Sequence, residues 1–196
     1  MKKRKASIKR KTAETDIAVD FVIDGSGKYK VSTGIPFLDH MLCLFAKHGV
    51  FDLALKAKGD LEIDTHHTNE DIGIVLGQAL DKALGSKKSL RRFGMGFSVL
   101  DEAMARSVVD LSGRPYAEVS LPRKNMRSSG YSFSDFRHFI RSFSHSSKIT
   151  LHIDVLKGED FHHIMEVCFK SLALALDEAC GWYLRKRGVP STKGRL

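Results

Sequence analysis

The chain repeats itself. Shifted by 96 residues, DTHHTNEDIGIVLGQALDKALG (64–85) falls on DFHHIMEVCFKSLALALDEACG (160–181), and ten of the 22 positions are identical. A repeat of this kind restricts the fold to two copies of one unit that bury their apolar faces together. Upstream the match continues at a shift of 98, with His40 on His138 and with Met41, Leu42 and Phe45 on Phe139, Ile140 and Phe143. Those apolar spacings are helical, whereas Leu53, Leu55 and Ala57 over Leu151, Ile153 and Val155 alternate as in a half-buried strand. Each half therefore reads as a helix, one or more strands and a longer helix, with Gly85 and Gly181 at the expected helix C-caps. The stretch FSVLDEAMARSVVDLS between them reads as strands, SGRPY as a turn, and RKNMRSSG (123–130) as a polar loop. The expected fold class is α+β: two similar half-domains, each a small mixed β-sheet covered by helices on one face. Residues 1–95, the first repeat half, and 96–196, the second, are expected to form together one compact domain.

The shared polar residues matter most, because packing alone does not need them. Both halves keep a lone His, a His-His pair and a Glu in register. On a helix, positions four apart lie about 40° apart and adjacent ones about 100° apart. His66 with Glu70, and His162 with Glu166, can each chelate one ion, while His67 and His163 point toward another. With His40 and His138 there are six imidazoles and two carboxylates, enough for two ions with four ligands each. That donor set suits manganese, iron, zinc, nickel or cobalt and excludes a structural cysteine zinc site. Asp71 and Val167 after the glutamates also exclude the HExxH and HxxEH peptidase helices.

The formal net charge of +9 comes largely from the first eleven residues, seven of which are Lys or Arg. A solvated basic tail is expected there, since no nucleic-acid motif follows and no aromatics are interleaved. No apolar run approaches the roughly 20 residues that span a bilayer, and no apolar stretch follows the basic start, so a cytoplasmic protein without membrane contact is expected. Cys43, Cys168 and Cys180 lack CxxC spacing and read as buried reduced thiols in helices.

KTAET (11–15), TGIPFLDHML (33–42), GDLEIDTHHTNEDIG (59–73), RRFG (91–94), DEAMA (101–105), VDLSGRPY (109–116), HHIMEVCFK (162–170) and VPSTKG (189–194) together resemble the imidazoleglycerol-phosphate dehydratase family over nearly the whole chain. The resemblance implies a lyase of histidine biosynthesis. It would dehydrate D-erythro-imidazole glycerol phosphate to imidazole acetol phosphate, holding the ring as a metal-bound imidazolate. It further implies two manganese ions per active site and a homo-oligomer of 24 subunits with sites between subunits. One ion would correspond to His40, His67, His162 and Glu166, and the other to His66, Glu70, His138 and His163. Glu14 would be the catalytic acid/base beside the reacting carbons. Substrate contacts would come from Glu14, His40, His48, Arg92, Arg114, Lys170, Ser191, Thr192 and Lys193. The chain departs from the family pattern at Leu44, where Gln is common, at Val99 for Pro, at Asp160 for Asn and at Leu174 for Arg. Two other readings compete: a dinuclear hydrolase acting on a phosphorylated small molecule, and a metal-storing or nucleic-acid-binding assembly. The hydrolase would use the same ligands to activate water, whereas a storage assembly would not need the phosphate-directed STKG, SGRPY and Arg92 motifs.

Overall fold

Each half builds its sheet in the same strand order. The computed structural model describes residues 3–121, 126–183, 185, 188–194 and 196. The first half runs β1 (Lys5–Lys11), β2 (Thr15–Val22), β3 (Tyr29–Ser32), α1 (Pro36–His48), β4 (Asp52–Gly59) and α2 (His66–Leu84). The second runs β5 (Phe93–Leu100), β6 (Ala103–Asp110), β7 (Tyr116–Ser120), a small hairpin of β8 (Arg127–Ser128) and β9 (Tyr131–Ser132), then α3 (Phe133–Ser147), β10 (Thr150–Lys157) and α4 (Phe161–Cys180). The sheets are ordered β1-β2-β4-β3 and β5-β6-β10-β7. In each, only the last pair is parallel, β3 with β4 and β7 with β10, as a helix crossover requires. The mixed α+β fold expected from the repeat is the one observed.

Alternation along the strands explains which face is covered. In β2, Thr15, Ile17, Val19 and Phe21 are buried while Asp16 and Asp20 are exposed. Helix α2 lies on the first sheet and α4 on the second. The helices of the two halves then pack on each other, α2 against α3 and α1 against α4. Leu42, Phe45, Leu76, Phe139, Phe143, Phe169 and Leu172 meet between them. The α2–α3 approach is close: a Cβ on Gly77 would lie 2.5 Å from the Phe143 carbonyl oxygen.

Two expectations are corrected or narrowed. The basic N-terminus is not a solvated tail from Lys5 onward but the edge strand β1, paired with β2 from Lys5↔Val22 to Lys11↔Asp16. Ala6 and Ile8 turn inward between outward lysines, a period-two pattern that charge density conceals, and lysines on an edge discourage pairing with other chains. In the expected 123–130 loop, 126–130 enter the β8–β9 hairpin, whereas Arg123, Lys124 and Asn125 lie outside the described residues. The cysteines are free as expected, with Cys168 and Cys180 buried and Cys43 partly so.

Candidate metal centre and substrate site

The helix starts that carry the candidate ligands are built by local carboxylates. Asp64 Oδ1 accepts from the His66 amide at 2.7 Å, and Asp160 caps α4 by accepting from the His163 amide at 3.0 Å. Asp caps a helix as well as Asn, so the departure at 160 costs no structure. Ser132 and Asp135 form a capping box at α3, which carries His138.

Among the described residues, two groups bring three metal-ligating side chains together, each with ligand atoms within 4.8 Å of one another. The first is His40 of α1 with His162 and Glu166 of α4. Both imidazole Nε2 atoms converge on Glu166 Oε1, at 2.9 and 3.0 Å, and Lys170 Nζ donates to Oε2 at 2.5 Å. Burial pushes the Glu166 carboxyl up, but the hydrogen bonds from Lys170, His40 and His162 outweigh it and bring it down to about 2. The second group is His66 and Glu70 of α2 with His138 of α3. His138 Nδ1 lies 2.8 Å from Glu70 Oε1, and the His66 and His138 rings are 4.6 Å apart. Two imidazoles and one carboxylate fit a borderline divalent ion, with coordination positions left over.

His67 and His163 join neither group. Asp60 Oδ2 sits 2.9 Å from His67 Nδ1, and Glu102 Oε2 sits 2.8 Å from His163 Nδ1. Each imidazole is raised above its ordinary value by that hydrogen bond, and the bond to His163 brings Glu102 down to about 2. Metal-binding histidines are characteristically oriented by a carboxylate on the other ring nitrogen, which leaves Nε2 free to bind.

The two groups are joined through the core. Tyr131, fully buried, donates to Asn69 Oδ1 at 3.0 Å and stacks on Phe37, whose ring edges His162 at 5.4 Å. Asn69 donates on to the Asp135 carbonyl at 2.7 Å, tying α2 to α3 between the ligands they carry. Sequence reasoning missed Asn69, Tyr131, Asp135, Asp60 and Glu102. The first three occur in one half only, so the repeat does not single them out.

The expected substrate residues fall in two places. His48 and Lys170 lie beside the first group: His40, Leu44 and His48 on α1 and His162, Glu166 and Lys170 on α4 each follow a four-residue spacing. Burial and then the charge of Lys170 lower the His48 imidazole. The second place gathers Arg92 and the C-terminal segment near the turn of Arg114. Arg92 holds Asp110 through two nitrogens, at 2.7 and 3.1 Å, and donates to the Pro190 carbonyl at 2.8 Å. Ser191 Oγ accepts from the Lys193 amide, and Leu196 lies against Gly113, next to the exposed Arg114. Glu14 lies in neither, but in an open cleft of about 330 Å³ lined by Thr12, Glu14, Lys58, Asp60 and Glu62 among others, with Glu14 Oε2 3.9 Å from His67 Nδ1.

Residues 33–176 match the family described as imidazoleglycerol-phosphate dehydratase. A curated protein of that name from Thermoanaerobacter pseudethanolicus is 54% identical over 98% of this chain and 100% of its own length. One from Prochlorococcus marinus is 49% identical over 98% and 96%. The crystal structure of IGPD from Pyrococcus furiosus superposes with a TM-score of 0.84 at 38% identity, covering 96% of this chain and 100% of that one.

Proposed function

This chain belongs to the imidazoleglycerol-phosphate dehydratase family, lyases of histidine biosynthesis (EC 4.2.1.19) that act on a phosphorylated imidazole, and from that premise we propose how its residues divide the work. The substrate is D-erythro-imidazole glycerol phosphate and the product imidazole acetol phosphate plus water. His40, His162 and Glu166 hold one manganese ion, and His66, Glu70 and His138 hold the other. His67 and His163 complete these sets from neighbouring copies in a homo-oligomer of 24 subunits, and the enzyme works in the cytoplasm. The observation that carries this reading is the pair of three-ligand groups, with the fourth histidine of each set oriented elsewhere on the same chain.

When bound, the two ions supply Lewis acidity that stabilises negative charge on the imidazole ring. The proton to be removed sits on a carbon with no other activating group. Glu14, exposed over its cleft, takes that proton and returns one where the hydroxyl leaves as water; the resulting enol relaxes to the ketone. His48 and Lys170 beside the first ligand group, and Arg92, Arg114 and Ser191–Lys193 from the second place, receive the phosphate, which arginine binds by two parallel donors. Arg92 reaches this role while holding Asp110 and the 190–194 segment, so it shapes the phosphate loop as well as facing it.

The deciding experiment is to load the purified protein with manganese and supply imidazole glycerol phosphate. The ketone product is expected. Absence of ketone from a fully loaded, intact assembly overturns the reading. Glu14→Gln is expected to keep metal and assembly while kcat falls by roughly 10²–10⁴, the usual worth of a general base.

A further inference from the structure

The two halves contain a carboxylate pair that the repeat of the helices does not reveal. Strands β2 and β6 are both eight residues long, and each is preceded by a glutamate in its hairpin turn: Glu14 before Thr15, Glu102 before Ala103. Glu102 is therefore the counterpart of Glu14. The counterparts behave differently. Glu102 is closed onto its histidine, with Oε2 2.8 Å from His163 Nδ1 and Oε1 accepting from the amides of Glu159 and Asp160 at 3.2 and 3.0 Å. Glu14 stays 3.9 Å from the corresponding nitrogen of His67, its side chain about half exposed.

A second substitution between the halves accounts for the difference. Strands β4 and β10 correspond, and the residue following each is Asp60 in one half and Gly158 in the other. Asp60 already occupies His67 Nδ1 at 2.9 Å from a nearly buried position. Gly158 cannot carry such a side chain: its φ is +144°, and a Cβ there would lie 2.6 Å from Ile164 and 3.2 Å from Ala103. With no carboxylate available from that position, the second half uses the hairpin glutamate to orient its histidine.

We propose that Asp60 is a positioning residue whose task is to release Glu14: by satisfying His67 Nδ1 it keeps the Glu14 carboxylate off the histidine and free over the cleft, whereas Glu102, lacking such a stand-in, orients His163 and takes no part in proton transfer. This rests on Glu14 being the acid/base group of the proposed function. In Asp60→Ala, Glu14 is expected to close onto His67 as Glu102 does onto His163. At saturating manganese, with metal content measured, kcat should then fall ~10-fold or more, part of the usual range for a general base, while KM changes little. Adding Glu14→Gln to Asp60→Ala should lower kcat no further than Glu14→Gln alone. Asp60→Asn, whose amide oxygen still accepts from the imidazole N–H, should recover most of the turnover and guards against a folding defect. A role limited to holding metal predicts instead that excess manganese restores Asp60→Ala, and that result overturns the proposal. So does a crystal structure of Asp60→Ala with Glu14 unmoved. Should Glu14→Gln by itself turn over normally, the acid/base reading fails instead, and the position of Glu14 in Asp60→Ala alone decides whether Asp60 holds it away.

Discussion

At the level of single residues, the candidate ligands that the fold gathers were legible and their orienting partners were not. His66, Glu70, His162 and Glu166 announce themselves by recurring at a helical spacing in two diverged halves. Asp60 and Glu102 do the same job from non-equivalent positions, so no shift of the sequence superposes them. Their effect on the histidines gives a pH prediction whose sign differs between metal-free and loaded protein. Both His67 and His163 are raised above the ordinary histidine value of about 6.5. A raised folded value means that stabilisation of the metal-free chain is fully present below about pH 6.5 and is lost as pH rises through the raised values. Metal binding needs the neutral ring, so the loaded protein should lose stability as pH falls through the same window and should release protons on loading. Thermal unfolding between pH 5 and 8, with and without manganese, should give opposite slopes. Parallel slopes would remove these histidines from the metal sites.

Among the elements, the four long helices and strands β4 and β10 followed from periodicity and β5 and β6 from the stretch between the halves, while β1 was hidden by its lysines, β8–β9 by their brevity, and β2, β3 and β7 were not assigned. The distance between α2 and α3 could not be read from the sequence, although Gly73 and Gly77 mark it in retrospect. At Gly77 a methyl group would meet the Phe143 backbone oxygen at 2.5 Å, and backbone cannot step aside as a side chain can. Gly77→Ala should therefore spread the two helices at a cost of about 1–3 kcal/mol, as overpacking does. Since α2 carries His66 and Glu70 and α3 carries His138, manganese affinity should fall at that group. The His40, His162 and Glu166 group, carried by α1 and α4, should keep its affinity. Denaturant unfolding with a two-site metal titration checks both halves of this expectation; equal weakening at the two groups counts against it. Tyr131→Phe makes a gentler test of the same seam. It keeps the stack on Phe37 and deletes the hydrogen bond to Asn69, leaving the Asn69 oxygen without that donor. A loss of about 1 kcal/mol is expected, the net worth of one such bond, again with the His138 group weakened more than the other.

For the molecule as a whole, the outer faces of the two sheets differ although their topology does not. The outer side of β1 presents Lys5, Ser7, Lys9 and Lys11, whereas β5 presents Phe93, Met95, Phe97 and Val99, all between 45% and 67% exposed. The alternation with Gly94 and Gly96 has a plain cause: α4 passes so close over β5 that the inward positions admit no side chain, and the apolar residues fall to the outside. A run of large apolar side chains on an open sheet face marks a contact surface, and in the homo-oligomer proposed above another copy of the chain would cover it. Assembly would then be held in two independent ways, by apolar faces and by metal ions shared between copies. Chelating the manganese should remove only the second, leaving a smaller particle that β5 still holds together. Phe97→Asp should remove the first, because a carboxylate buried in such a contact has no partner to offset its desolvation. Light scattering should report a particle of fewer subunits after chelation of the wild type and a smaller one again for chelated Phe97→Asp. If chelation alone yields monomers, the β5 face holds no copies together; if the mass does not change at all, the ions bridge none.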